Sequence, residues 1–264
     1  MVTVKLRVHA MKMFMTLVSV CIVLAGCSTT QVMRIPEEPP KRPASAILKK
    51  GVTHTIDAYD PLERVNRRIY TFNAKFDKYV FLPVVRGYEF ITPGFMQTGV
   101  TNIFSNLGEI TTLANSILQY KVKKAGTTTG RMLINTTAGV GGCFDVAASL
   151  CMRKQHEDFG QTLGFYCVGP GPYLVLPVLG PSTVRDTGGL VVDNTLYNAY
   201  VRALIGQMDM KKSDEDALRY SLMGISAIDK RHTESFRYYE TESPFEYELV
   251  RLLYLKKREI MIQE

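Results

Sequence analysis

Met13 to Leu24 (MFMTLVSVCIVL) is an apolar run of about a dozen residues that ends at a cysteine, and it decides where the rest of the chain must fold. It is too short to span the roughly 30 Å of a bilayer's hydrocarbon core. Behind Lys5, Arg7 and Lys12 it has the layout of a signal peptide, basic and then apolar. The run closes in Leu24-Ala25-Gly26-Cys27, the box read by lipoprotein signal peptidase. Its small residues let the backbone enter the peptidase, and the Cys27 thiol becomes the thioether anchor. An ordinary signal peptide or an uncleaved anchor is the competing reading. Ser28 stands where an Asp typically retains lipoproteins in the inner membrane, so sorting to the outer membrane is expected. Acyl chains add roughly 0.8 kcal/mol per buried CH₂, so a multiply acylated Cys27 stays on the membrane.

The expected organisation follows: 1–26 a lipoprotein signal peptide, 27–58 a lipidated cysteine with a Pro-rich tether, 59–235 a helical domain, and 236–264 a C-terminal amphipathic helix. The tether carries RIPEEPPKRPAS with no sustained apolar period. The formal charge is +7, and losing Lys5, Arg7 and Lys12 with the signal leaves +4. That mild basicity suits a surface facing anionic lipid headgroups. No basic stripe interleaved with aromatics appears, so nucleic acid is excluded as a partner. Cys143, Cys151 and Cys167 are left in an oxidising compartment. On one continuous helix, Cys143 and Cys151 would lie about 12 Å apart, too far to bridge. A Cys151–Cys167 disulfide and three unpaired thiols are the two readings that remain.

The fold begins at Asp60-Pro61-Leu62-Glu63, which reads as a capping box with Pro at the first helical position. The helix behind it gathers Val65, Ile69, Phe72 and Phe76 on one face. Further helices are expected at about 94–106, 109–119, 121–134, 143–150, Thr183 to about Gln207, from Ser213, and from Ser243. The last gathers Phe245, Leu249, Leu252 and Leu253, leaving Arg251, Lys257 and Arg258 outside that stripe. No long stretch alternates with period two, so the fold class is all-α. Residues 138–144 (AGVGGCF) and 168–181 (VGPGPYLVLPVLGP) break the helical pattern. The second is either a buried connector or irregular backbone held at membrane depth by other protein.

The tools of an enzyme are missing. The chain has no G-x-S-x-G elbow, no P-loop and no H-E-x-x-H. His54 lies in the tether, and His156-Glu157-Asp158 reads as a solvated charged turn rather than a ligand cluster. No catalytic residue, metal or cofactor is assigned.

Four segments recur in a recognisable order: DPLERVNRRIYTFN (60–73), TGVTNIFSNLGE (98–109), LINTTAGVGGCFDVA (133–147) and EDFGQTLG…GPGPYLVLPVLGPSTVRD (157–186). Together they closely resemble the MlaA (VacJ) family of outer-membrane lipoproteins over about 60–235. The three cysteines are not part of that pattern. The resemblance implies a single ring-like, mostly helical, membrane-embedded body that meets a trimeric outer-membrane porin. It implies that phospholipids which strayed into the outer leaflet pass through this body to a periplasmic lipid carrier, maintaining lipid asymmetry. A structural lipoprotein that scaffolds a porin or envelope complex is the alternative.

Asn66, Arg67 and Asn73 lie in the part of the first motif that capping does not explain. They either meet headgroups or hold neighbouring helices by hydrogen bonds. Gln161 and Arg185 invite the same two readings, with an Arg185–Asp186 brace favoured over a phosphate clamp. Gly141, Gly142 and Gly160 flank residues 144–160 and could hinge that segment as a gate; a static loop is the other reading.

Overall fold

Asp60 Oδ1 accepts from the Leu62 N–H at 3.1 Å, but the first helix begins at Glu63 behind Leu62 with no side-chain cap, so the expected capping box with Pro61 at the first helical position is not formed. The computed structural model describes residues 60–208, 210–241 and 243–264, so the signal segment, Cys27 and the tether lie outside them. Helix α1 (Glu63–Phe76) passes through a π-helical turn (Asp77–Phe81) into α2 (Leu82–Ile91). Then come α3 (Gly94–Leu118), α4 (Val122–Thr137), the single turn α5 (Val146–Ser149) and α6 (Phe159–Phe165). A hairpin of β1 (Tyr173–Leu176) and β2 (Gly180–Thr183) precedes α7 (Val184–Ile205), α8 (Lys212–Thr233) and α9 (Glu246–Gln263). Among the described residues the fold is all-α apart from this hairpin.

Several boundaries differ from the sequence reading for identifiable reasons. The two helices expected at 94–106 and 109–119 are one, because a Cβ on Gly108 would meet nothing within 4 Å and the residue simply continues the helix. Residues 143–150 shrink to α5, capped by the Asp145 carboxylate on the Ala148 N–H at 3.0 Å. The helix α2 is additional, and Pro83 stands just after the π-helical turn that joins it to α1. The 168–181 connector contains strands of four residues each, joined through Val178 (φ 68°) and Gly180 (φ 84°). Alternation over four residues is too short to register against the Gly and Pro around it, yet Tyr173 and Val175 point inward together.

The larger surprise is which faces are buried. Among the described residues, buried polar and charged side chains outnumber buried apolar ones by more than two to one. The face of α1 expected to form core is half exposed, with Val65 at 50% and Phe72 at 49%, whereas Asn66, Tyr70 and Asn73 are buried. In α9 Arg251 and Arg258 are buried and Leu253 is exposed, against expectation, while Lys257 is exposed as expected. Periodicity located both stripes correctly and misassigned which one faces inward.

Asn66 and Asn73 show why the polar stripe of α1 turns in. The Asn66 amide donates to the Tyr173 carbonyl at 3.0 Å and accepts from the Val175 N–H at 2.9 Å. Asn73 repeats this one step along, donating to the Leu176 carbonyl at 2.9 Å and accepting from the Val178 N–H at 2.7 Å. Seven helical residues rise about 10.5 Å and three strand residues about 10 Å, so the two repeats match. Tyr70, between them, reaches the Glu246 carboxylate at 2.6 Å and meets Tyr238, Tyr239 and Tyr247 edge to face. The small apolar core sits here, around Tyr70, Tyr173, Val175 and Tyr247.

Candidate functional site

Four buried ionic nodes join the elements. At the first, Arg258 of α9 spans two carboxylates, donating to Asp158 at 2.5 and 2.8 Å and to Asp186 at 2.9 and 3.0 Å. Tyr254, one turn earlier, adds a bond to Asp186 at 2.8 Å. Asp158 also caps α6 through the Gln161 N–H at 2.9 Å, and Asp186 lies in the first turn of α7. One guanidinium thereby ties α6, α7 and α9 together, and its flat fork suits two carboxylates at once.

The second node joins the two ends of the described chain. The Asp60 carboxylate accepts from Asn66 at 2.9 Å, from Arg251 at 3.2 Å and from the Tyr247 hydroxyl. Arg67 bonds Glu63 at 2.7 Å and Glu248 of α9, with its guanidinium 4.3 Å above the Tyr247 ring. At the third, Arg131 of α4 donates to Glu109 of α3 at 2.9 Å, to Asp145 at 3.0 Å and to the Met152 carbonyl at 2.6 Å. At the fourth, Glu157 accepts from Lys121 at 2.9 Å and from Lys124 at 2.7 Å. Glu157 is only 4% exposed, so the turn expected to be solvated is a buried ionic link.

Electrostatics at the Arg258 node sets an acid limit. Burial alone would raise the pKa values of Asp158 and Asp186, but the bonds from Arg258 outweigh it and hold both below the usual carboxylate range. A carboxylate depressed in the folded state contributes stability above its unfolded pKa, about 3.9 for Asp, and loses it as pH falls through the folded value. Thermal melts from pH 6 downward should therefore hold steady until about pH 4 and then fall. In Arg258→Met the acid limb should flatten, and an unchanged limb would remove this account of it.

The residues singled out in the sequence are placed as follows. Asn66 and Asn73 clamp the hairpin backbone, and Arg67 links α1 to α9. Gln161 is buried, and its amide donates to Asp158 at 3.0 Å and to the His156 carbonyl at 3.4 Å. Arg185 does meet its neighbour Asp186, at 3.1 Å, and also the Val168 carbonyl at 3.3 Å. Adjacent residues on a helix usually diverge, but here both side chains turn toward the space beside α6. Gly141 and Gly142 adopt φ of 68° and 94° in the turn after α4. Gly160 sits inside α6, where a Cβ would lie 2.6 Å from Asp186 and 2.7 Å from Arg258. The 144–160 segment is bonded to Arg131 near its start and to Lys121 and Lys124 near its end, which favours the static reading over a gate. Cys143, Cys151 and Cys167 are all free, so the Cys151–Cys167 bridge is not formed. Cys151 and Cys167 each follow a different short helix, at φ of 61° and 64°, with both side chains exposed.

Sequence reasoning missed Arg251, Arg258, Glu246 and Glu248. A hydropathy stripe marks charged residues as outward, and the only available signal was the Asp and Arg content of the other motifs, whose partners must lie somewhere. Among the described residues no group of three or more His, Cys, Asp or Glu is placed to hold a metal ion, and no helix is long and apolar enough to cross a membrane.

Residues 58–261 match the family model described as MlaA lipoprotein. The chain belongs to the MlaA family. The match runs on through α9, the helix that carries Arg251 and Arg258. Similar proteins include the intermembrane phospholipid transport system lipoprotein MlaA of Haemophilus influenzae, 38% identical over 175 residues, covering 65% of this chain and 66% of that protein. The Escherichia coli K12 protein of the same name is 38% identical over 138 residues, covering 51% and 55%. An uncharacterised protein of Rickettsia prowazekii is 39% identical over 143 residues, covering 54% and 57%. The chain thus spans little more than half the length of several curated relatives it matches. A solved structure described as the structural basis for maintenance of bacterial outer membrane lipid asymmetry is similar with a TM-score of 0.60 and 27% identity, covering 78% of this chain and all of that one.

Proposed function

We propose that this MlaA-family chain is anchored through Cys27 in the outer membrane, faces the periplasm, and removes mislocalised phospholipids from the outer leaflet. In this reading it hands them to a periplasmic lipid carrier and sits against a trimeric porin. The observation that carries it is the inverted packing: polar and charged groups inside, with Val65, Phe72, Phe90, Ile91 and Phe95 among the large apolar side chains left outside. In water such a surface would associate or aggregate; embedded in one leaflet it is at home. The names of the H. influenzae and E. coli relatives support the cargo.

Moving a two-tailed lipid through water would expose some thirty methylene and methyl groups, on the order of 20 kcal/mol at ~0.8 each. A protein that keeps tails in apolar surroundings and gives the headgroup a polar route removes most of that barrier without any covalent step. The mechanism is non-catalytic, with the buried ionic nodes bracing the body around the route.

The test is outer-leaflet phospholipid in cells with and without the gene, read as lipid accessible to an external phospholipase. Accessible lipid should rise on deletion and return to normal with the wild-type chain, but not with Cys27→Ala. No change on deletion in a strain lacking a second copy would favour a scaffold for a porin or envelope complex.

A further inference from the structure

The stretch 152–157 runs without regular secondary structure between α5 and α6 and is fixed at both ends. Arg131 holds its first carbonyl at 2.6 Å, and Lys121 and Lys124 hold Glu157. Between those points Lys154 and His156 stand exposed. Lys154 Nζ donates to Ser105 Oγ of α3 at 2.6 Å and makes no ion pair among the described residues. Among the described residues His156 and Lys257 have no bonded side-chain partner, although the neighbours of Lys257 do: Lys256 takes Glu259 at 2.8 Å and Arg258 takes Asp158 and Asp186.

The carboxylates in reach are already engaged, Glu109 and Asp145 by Arg131 and Glu157 by two lysines. Lys121, α4, the stretch and α9 together carry ten Lys and Arg against six Asp and Glu once Glu109 and Asp145 are added, an excess of cations. The protein around Lys154 holds its pKa down by desolvation, with Glu109, Arg131 and Asp145 facing it. Desolvation lowers His156 in the same way, followed by the fields of Lys154, Lys257 and Arg131. Arg258, next to Lys257, bonds Asp158, two residues beyond His156, so this part of α9 lies beside the stretch that carries Lys154 and His156.

A second feature lies on α9. Leu253 and Ile260 are 58% and 57% exposed, and they stand four residues before and three after Lys257. Residues at those spacings are neighbours on a helix surface, so the outer face of α9 presents a cation between two apolar side chains. A free phosphate has no use for the apolar pair, whereas a phospholipid has use for both.

We infer that Lys154, His156 and Lys257 form a binding site for the phosphate of a phospholipid headgroup, with an acyl chain laid against Leu253 and Ile260. The inference rests on the proposed lipid-transport reading and names a place for the headgroup within it. The Lys154 and Lys257 ammonium groups supply charge-assisted bonds to the phosphate oxygens, and the His156 ring supplies one N–H.

The test uses the purified full chain in detergent and fluorescent dioleoylphosphatidylglycerol, with dioleoylglycerol carrying the same fluorophore as the phosphate-free probe. The double variant Lys154→Gln/Lys257→Gln should bind the phospholipid at least about tenfold more weakly, from the loss of two charged contacts. Its affinity for the diacylglycerol should stay within about twofold of wild type. Leu253→Ser/Ile260→Ser should weaken both probes alike. All four residues are exposed, and unchanged thermal melts will confirm folding. Equal phospholipid affinity in wild type and the lysine double variant overturns the inference. So does tight binding of inorganic phosphate that the double variant abolishes while phospholipid affinity stays intact, which would assign the site to free phosphate. Because binding is measured on purified protein, a null result in the deletion strain removes the transport reading without touching this one.

Discussion

Arg258→Met should cost this protein about 3 kcal/mol and lower its melting temperature by about 10 °C, measured on the purified chain in detergent. The substitution keeps the volume of the stem but leaves Asp158 with no cation and Asp186 with only its neighbour Arg185. Breaking a buried ion pair from one side costs about 3–5 kcal/mol, because the remaining charge stays desolvated. The lower figure applies here, since the Asp158 side chain is 37% exposed and water can reach it. Arg258→Lys should recover only part of the loss, as one ammonium cannot reach four oxygens on two carboxylates. Restoring neutrality with Asp158→Asn in the methionine background, which leaves Asp186 paired with Arg185, should regain stability. A melting temperature unmoved by Arg258→Met would mean that α9 is not held where the structure shows it.

Two adjacent glycines in α7 should respond in opposite directions to the same small change. A Cβ on Gly189 would lie 2.4 Å from the Gly160 nitrogen and 2.8 Å from its Cα. Those are backbone atoms, so α6 must move away from α7, and the bonds of Asp158 and Asp186 to Arg258 must stretch with it. Gly189→Ala should therefore destabilise by about 2–3 kcal/mol, the upper part of the range for overpacking. A Cβ on Gly188 meets nothing within 4 Å. Gly188→Ala should be neutral or stabilising by up to about 1 kcal/mol, because alanine loses less backbone freedom in a helix. Thermal melts of the two variants decide it, and equal behaviour would refute the close crossing of α6 and α7.

The helices were legible because their start signals are local. Thr183 caps α7 on the Asp186 N–H at 3.1 Å, while Asp60 and Ser243 bond the N–H groups of Leu62 and Phe245 just ahead of helices that begin at Glu63 and Glu246, and Ser213 lies inside α8 rather than at its cap. What failed was the rule that apolar stripes face inward. That rule assumes water outside, and Val65, Phe72 and Leu253 break it together. The ionic nodes were illegible for a different reason. Asp60 and Arg251 are 191 residues apart, and Asp186 and Arg258 are 72 apart. No local spacing points from one partner to the other. Asn66 and Asn73 fall between these cases: their seven-residue spacing was visible, but the strand they clamp was hidden by its brevity.

The same inversion changes which positions are free to drift over evolutionary time. In a water-soluble domain the interior accepts many apolar substitutes of similar volume and the exterior accepts almost any polar one. In the proposed membrane setting an outward position such as Phe90 or Ile91 asks only for something oily, so valine, leucine and methionine should be nearly interchangeable there. Asn66, Arg131 and Arg258 each ask for a particular arrangement of donors and acceptors that no other residue reproduces. Constraint in this chain therefore gathers on its hydrophilic residues, and its greasy ones are the dispensable vocabulary.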